Sequence, residues 1–163
     1  GLFFVCYNSS MQSAHSTSDD HDGSVYLTIL RNRSEPILYE DAEWFVLFSK
    51  TPSNEGHLMV VPKDKQARFF DLPDSVLNRG FEVATKLSRV LNDVYKPPRI
   101  AMYIKGFTVD NHAHIHVSPA YDTKDLNIDS LHVRHKLSSE EMFILANKLQ
   151  SRIDKAMGVA ETK

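Results

Sequence analysis

Apolar residues along this chain follow two rhythms, and the change between them lays out the elements. Residues 37–40 (Ile-Leu-Tyr-Glu), 44–48 (Trp-Phe-Val-Leu-Phe) and 57–61 (His-Leu-Met-Val-Val) are short β-rich runs separated by turn formers, and each is a predicted strand. Asp41-Ala42-Glu43 forms the first turn, and the six residues from Thr51 to Gly56 form the second. The second and third runs therefore make an antiparallel pair, with Pro62 stopping the third. Residues 44–48 are apolar enough throughout to be a central strand.

From Asp74 to Tyr95 the period lengthens. Leu77, Phe81, Ala84, Leu87, Leu91 and Val94 recur at spacings of 3 and 4, which predicts an amphipathic helix packed on the sheet, bounded by Pro73 and by Pro97-Pro98. Gly80 in its middle weakens it by about 1 kcal/mol relative to Ala. Residues 99–105 and 112–118 are predicted as a fourth and a fifth strand. A last helix starts near Ser138, which can form a capping box with Glu141, and it carries Phe143, Leu145, Ala146, Leu149 and Ile153 as apolar positions. Val25-Tyr26-Leu27 opens a short helix or turn that runs to Arg33. Residues 8–23 lack any apolar period. The expected organisation is a flexible segment over 1–23, one domain over 24–156 and a tail over 157–163.

Composition adds exclusions. The 163 residues are 42% hydrophobic and 25% charged, in the ordinary globular range. A formal net charge of -2 gives no global basic field, so nucleic acid is not an expected partner. No apolar run approaches the roughly 20 residues of a membrane helix, so no membrane partner is expected. The apolar opening from Gly1 to Tyr7 lacks a basic flank and makes a poor signal peptide, and Met11 could be the start of the protein. The single cysteine, Cys6, cannot form an intramolecular disulfide, which mildly favours a reducing compartment. The expected location is cytoplasmic.

The chemistry concentrates in His112-Ala113-His114-Ile115-His116-Val117. On a strand, His112, His114 and His116 point one way while Ala113, Ile115 and Val117 point to a core. The imidazoles then form a row about 6.6 Å apart. Three readings are open. Neighbouring histidines could share a zinc ion, although the outer two lie about 13 Å apart along the strand, far for bonds near 2 Å. They could be surface residues with no task. Or the middle one could be a nucleophile, since a neutral imidazole can attack phosphorus and form a covalent phosphoramidate. Flanking imidazoles would then fix its tautomer and stabilise developing charge on phosphate oxygens.

At this point the chain resembles the histidine-triad family, whose signature alternates three histidines with apolar residues. The likeness extends to Ile37-Leu38-Tyr39-Glu40-Asp41, to Pro52, to Gly56-His57-Leu58-Met59-Val60-Val61-Pro62, to the long helix, and to Leu137-Ser138-Ser139-Glu140-Glu141 opening the last one. It covers residues 24–153 approximately. The resemblance implies an α+β fold: a five-stranded antiparallel sheet with a long packed helix and a C-terminal helix, commonly doubled in a homodimer. It implies that His114 attacks the α-phosphorus of a purine nucleotide and that water then releases a nucleoside monophosphate of the AMP type. His112 and His116 would bind the phosphate and orient His114, with no cofactor and no catalytic metal. His57 matches a histidine near the nucleotide.

The departures from the family pattern concern the substrate. Ser49 stands where many members hold the ribose hydroxyls with Asp or Asn. The loop before the triad is short, with Lys105, Thr108 and Asn111 as the groups that could contact phosphate. Ser24 and Leu27 occupy the places of two zinc-binding cysteines found in some members, so no structural zinc is expected. His132 and His135 read as surface residues. Intact His114 favours an enzyme acting on nucleoside phosphoramidates or dinucleoside polyphosphates. The altered loop favours the alternative, a non-catalytic nucleotide-binding or scaffold protein on the same fold.

Overall fold

The computed structural model describes residues 23–104, 111–126 and 136–159. Helix α1 (Val25–Asn32) leads into β1 (Tyr39–Glu40), β2 (Trp44–Phe48) and β3 (Leu58–Pro62). A 3-10 turn, Phe69–Asp71, precedes the long helix α2 (Asp74–Tyr95). Strands β4 (Arg99–Ile104) and β5 (Ile115–Ala120), a second 3-10 turn at Thr123–Leu126 and helix α3 (Ser139–Met157) complete the order. The five strands form one antiparallel sheet in the order β1-β2-β3-β5-β4. This is the expected α+β architecture. Among the described residues no helix is long and apolar enough to cross a membrane.

Strand β2 is buried along its whole length because both faces of the sheet are covered there. On one face Trp44, Val46, Phe48, Leu58, Val60, Ile115 and Val117 meet α2 and α3 in the main core. On the other, Phe45, Leu47, Met59 and Val61 meet Leu27 and Ile29 of α1. At about 1.5–3 kcal/mol for each fully buried large side chain, the main core dominates the stability. The smaller one holds α1 down over the face that also bears the histidines.

Four local expectations need correction. β1 is confined to Tyr39–Glu40, because Pro36 has no N–H and pairing dies out behind Leu38, whose N–H still reaches Val46 O at 2.8 Å. The ladder of β5 begins at Ile115, opposite Val60, rather than at 112; ahead of it Ala113 N–H donates to Gln66 O beyond the end of β3, and His112 reaches Pro62 O through its ring. In α2 the buried stripe is Gly80, Val83, Ala84, Leu87, Val90 and Leu91. Phe81 lies one step off that stripe, 43% exposed, with its ring edge-on to Phe69 at 5.7 Å. In α3 the capping box forms as expected, with Glu141 N–H donating to Ser138 Oγ and Ser138 N–H to Glu141 Oε2. The inward residues, however, are Met142, Ala146, Leu149 and Ile153, while Phe143 is 54% exposed.

Gly80 is also more than a weak point in a helix. A Cβ there would stand 2.4 Å from Cζ2 of Trp44, a fully buried ring whose Nε1–H donates to Val76 O. The helix must lie this close for the ring to fill the space under it.

The turn between β1 and β2 is closed by Asp41, whose Oδ1 accepts from the N–H groups of Glu43 and Trp44. Its Oδ2 accepts from Arg79 at 2.8 Å, and Arg79 also donates to the Tyr39 hydroxyl, tying α2 to the turn. Burial pushes the Asp41 carboxyl up, but the hydrogen bonds from Arg79, the two backbone N–H groups and Tyr39 outweigh it and hold the carboxyl below its ordinary value.

Gly80→Ala is expected to destabilise the protein by about 1–2 kcal/mol in denaturant unfolding, overpacking against Trp44 exceeding the gain in helix propensity. Asp41→Asn is expected to cost about 1–3 kcal/mol near neutral pH. A lowered carboxyl stabilises the fold above its unfolded pKa and loses that contribution as pH falls through the folded one. The gap between wild type and Asp41→Asn should therefore close on acidification below about pH 4, and a gap that stays constant would show that the charge does not matter.

Candidate active site

The three triad histidines are buried, as is His57, and their ring protons are placed by neighbours. A carbonyl oxygen only accepts, so His112 Nε2–H donates to Pro62 O at 2.8 Å. Its Nδ1 then accepts from the Ser24 hydroxyl at 2.6 Å. His114 Nδ1–H donates to the carbonyl of His112 at 2.8 Å, which leaves the lone pair of His114 on Nε2. The Ser53 N–H donates to His57 Nδ1 at 3.1 Å, so a neutral His57 carries its proton on Nε2 and donates it to His116 Nδ1 at 2.9 Å. The proton of His116 is thereby on Nε2. A chain of donors thus runs from the β2–β3 loop into the triad, with Ser118 Oγ joining it at 3.0 Å from Ser53 Oγ.

Local structure explains each placement. The segment before β5 is pinned by Ala113 N–H donating to Gln66 O at 2.7 Å, while Ile115 and Val117 drive the other face into the main core. His57 is set by Gly56, which turns with φ +83 and passes so close to Tyr95 that a Cβ would lie 2.5 Å from its ring. Aromatic rings flank the imidazoles. Tyr26 of α1 packs on His114 at 4.9 Å, and Tyr103 of β4 stacks on His116 at 4.7 Å with only 14° between planes. Burial pushes the Tyr103 phenol up to about 12, so the ring beside His116 is uncharged near neutrality.

His114 and His116 lie 4.5 Å apart, ring to ring, at the end of a cleft of about 280 Å³. Its wall includes Tyr26, Glu35, Ser49 and Lys50. A hollow of about 360 Å³ between the β2–β3 loop and α3 is larger but carries no imidazole. Among the described residues, no group of three His, Cys, Asp or Glu side chains is arranged to hold a metal ion.

The residues expected from sequence divide as follows. His57, His112, His114 and His116 come together. Ser49 is buried in the cleft wall, its N–H bonded to His57 O at 2.9 Å. Asn111 is exposed with a left-handed φ of 48 and turns the chain into the triad. Lys105 and Thr108 lie outside the described residues, as do His132 and His135. Both ring nitrogens of His112 are engaged, by Pro62 O and by the Ser24 hydroxyl, and its carbonyl accepts from His114 and orients that ring. Sequence reasoning did not find Tyr26, Glu35, Ser53, Tyr103 or Ser118, which reach the site through helix docking and strand register. Tyr103 faces His116 across the β4–β5 pair, a match no local pattern encodes.

Comparison with known proteins agrees with this geometry. The HIT domain profile matches residues 31–123. An uncharacterized HIT-like protein of Methanocaldococcus jannaschii is 32% identical over 90 residues, 53% of this chain and 69% of that protein. The adenosine 5'-monophosphoramidase of Saccharomyces cerevisiae is 32% identical over 74 residues, but these are 45% of this chain and only 46% of the yeast protein. Among solved structures, a hypothetical histidine triad nucleotide-binding protein from Sulfolobus tokodaii has a TM-score of 0.66 at 21% identity, over 80% of this chain and 91% of its own, a likeness of fold. With the profile spanning more than half its length, the chain belongs to the HIT domain family.

Proposed function

We propose that this protein is a nucleotidyl hydrolase or transferase that cleaves the bond between the α-phosphate of a purine nucleotide and its leaving group, as in nucleoside phosphoramidates or dinucleoside polyphosphates. The observation that carries the reading is the hydrogen bond from His114 Nδ1 to His112 O, which leaves Nε2 of a buried imidazole as the nucleophilic atom beside the cleft. The yeast relative's name as an adenosine 5'-monophosphoramidase supports the substrate class.

In the first step the Nε2 lone pair of His114 bonds to the α-phosphorus, and the bond to the leaving group breaks with its electron pair. The leaving group takes up a proton, and the nucleotide remains on His114 as a phosphoramidate. Nδ1 keeps its proton, and the His112 carbonyl stabilises the positive charge that the ring acquires. In the second step water attacks phosphorus, the P–N bond breaks, and a nucleoside monophosphate departs. His116, with its proton on Nε2, donates a hydrogen bond to the phosphate oxygens as charge grows there. His57 is a positioning residue, because it holds His116 in that tautomer. Ser49, Lys105, Thr108 and Asn111 complete the proposed substrate contacts. In the same reading two copies pair, and the edge strand β4, with Met102 and Ile104 exposed, offers the meeting surface.

Wild-type protein with EDTA present should release AMP from an adenosine phosphoramidate or a diadenosine polyphosphate, and His114→Ala should lower kcat by about 10³-fold or more. Mass spectrometry of the quenched wild type should find a nucleotidyl adduct on His114. Binding of AMP without turnover in either protein would make it a nucleotide-binding relative instead. Activity only when EDTA is omitted would return the histidines to metal ligation.

His57→Ala should reduce kcat by about 10–100-fold with KM nearly unchanged, since misplaced groups cost rate more than ground-state affinity. It should also displace the acid limb of the pH–rate profile. An unaltered profile would mean that His57 does not set the protonation of His116.

A further inference from the structure

Glu35 stands in the segment between α1 and β1, only 6% exposed. Its Oε1 is ion-paired with Lys50, while its Oε2 is buried with no hydrogen-bond donor among the described residues. A carboxylate oxygen left in that state is a cost to the fold, and a fold tolerates such a cost where a ligand removes it. Glu35 and Lys50 both line the cleft that ends at His114 and His116.

The distance between the two ends follows from register. His116 lies opposite Met59, and Met59 opposite Leu47, so two strand spacings, about 9.6 Å, separate the imidazole from β2. Ser49 and Lys50 follow the end of β2, with Glu35 against Lys50. Between the two ends the wall is apolar, from Ile29, Leu47, Phe48 and Met59. Such a wall suits an uncharged ring. The carboxylate oxygen beyond it that has no partner among the described residues attracts a hydrogen-bond donor.

We propose that Glu35 recognises the nucleoside half of the substrate, with its Oε2 accepting a hydrogen bond from a ribose hydroxyl or from an amino group of the base. The assignment rests on the nucleotide reading of the triad and deepens it, because it sets the orientation of the substrate: nucleoside toward Glu35, leaving group on the opposite side of the imidazoles. The terminal torsion of a glutamate side chain is soft, so a modest rotation turns Oε2 to the cleft. Lys50, with its side chain 49% exposed, holds the other oxygen and leaves only one to be offered.

Calorimetric titration tests this on folded protein, without any requirement for turnover. The probes are AMP and GMP, their 2'-deoxy and 3'-deoxy forms, and purine riboside monophosphate, which lacks the amino group. Glu35→Ala should weaken binding of at least one of AMP and GMP by about 10-fold or more. Glu35→Gln, which keeps the volume and one acceptor, should fall between and guards against a folding defect, checked by thermal melting. If a ribose hydroxyl is the donor, the wild type's preference for ribo over deoxy forms vanishes in Glu35→Ala. If the base amine is the donor, the preference for AMP over purine riboside monophosphate vanishes instead.

Equal nucleotide affinity in wild type and both Glu35 variants would overturn the assignment while leaving the triad chemistry intact. So would a Lys50→Met protein that reproduces the full loss, since the ion pair alone would then be what matters. Binding by wild type that depends on Glu35 but comes with no hydrolysis would keep this inference and discard the catalytic one. A wild type that binds no nucleotide overturns both.

Discussion

Backbone carbonyls can accept a hydrogen bond but never donate one, and two of them govern this molecule's chemistry. Pro62 O fixes the proton of His112 on Nε2, and His112 O fixes that of His114 on Nδ1. A third backbone group, the N–H of Ser53, can only donate, and it fixes His57 and through it His116. The protonation of three of the four buried imidazoles is thus set directly by main-chain atoms, and that of His116 through the ring of His57. Everything else in the fold acts to keep those three backbone groups where they are. The β2–β3 loop, the end of β3 and the entry to β5 must stay in register, and the two cores enforce that.

The sheet's two covered faces divide the task. The main core, through Ile115 and Val117 beneath α2, fixes the height and direction of β5. The smaller core pulls α1 across the opposite face and brings Ser24 and Tyr26 onto His112 and His114. Gly56 and Gly80 each allow a close approach, to Tyr95 and to Trp44. Both therefore serve packing between α2 and the sheet rather than flexibility.

The sequence made these arrangements visible to different degrees. The alternation of histidine with Ala113, Ile115 and Val117 carried its own facing information, because strand side chains alternate and only one set is apolar. The capping box at Ser138 and Glu141 was equally local and formed as expected. By contrast, Phe81 and Phe143 belong to the apolar count of their helices yet lie off the buried stripes. A one-residue offset turns a side chain by about 100° on a helix, and apolar spacing alone does not resolve that. Tyr103, Ser53 and Ser118 depend on strand pairing, and Glu35 depends on how α1 docks. These are long-range facts, and the most specific features of the cleft were therefore the least visible in the sequence.

The two ends of the cleft differ in the kind of group they accommodate, and that difference favours one direction of binding. At one end, with both rings neutral, His116 offers a proton on Nε2 and His114 a lone pair on Nε2, the pairing needed beside a phosphate that is both attacked and stabilised. At the other, Glu35 presents a carboxylate already half-satisfied by Lys50. An ionised phosphate placed against Glu35 brings no hydrogen-bond donor and leaves Oε2 unsatisfied. A neutral sugar or base supplies the missing donor. The carboxylate oxygen that would be a liability in a closed core becomes a means of direction in a cleft, because only a group that brings a hydrogen-bond donor can satisfy it.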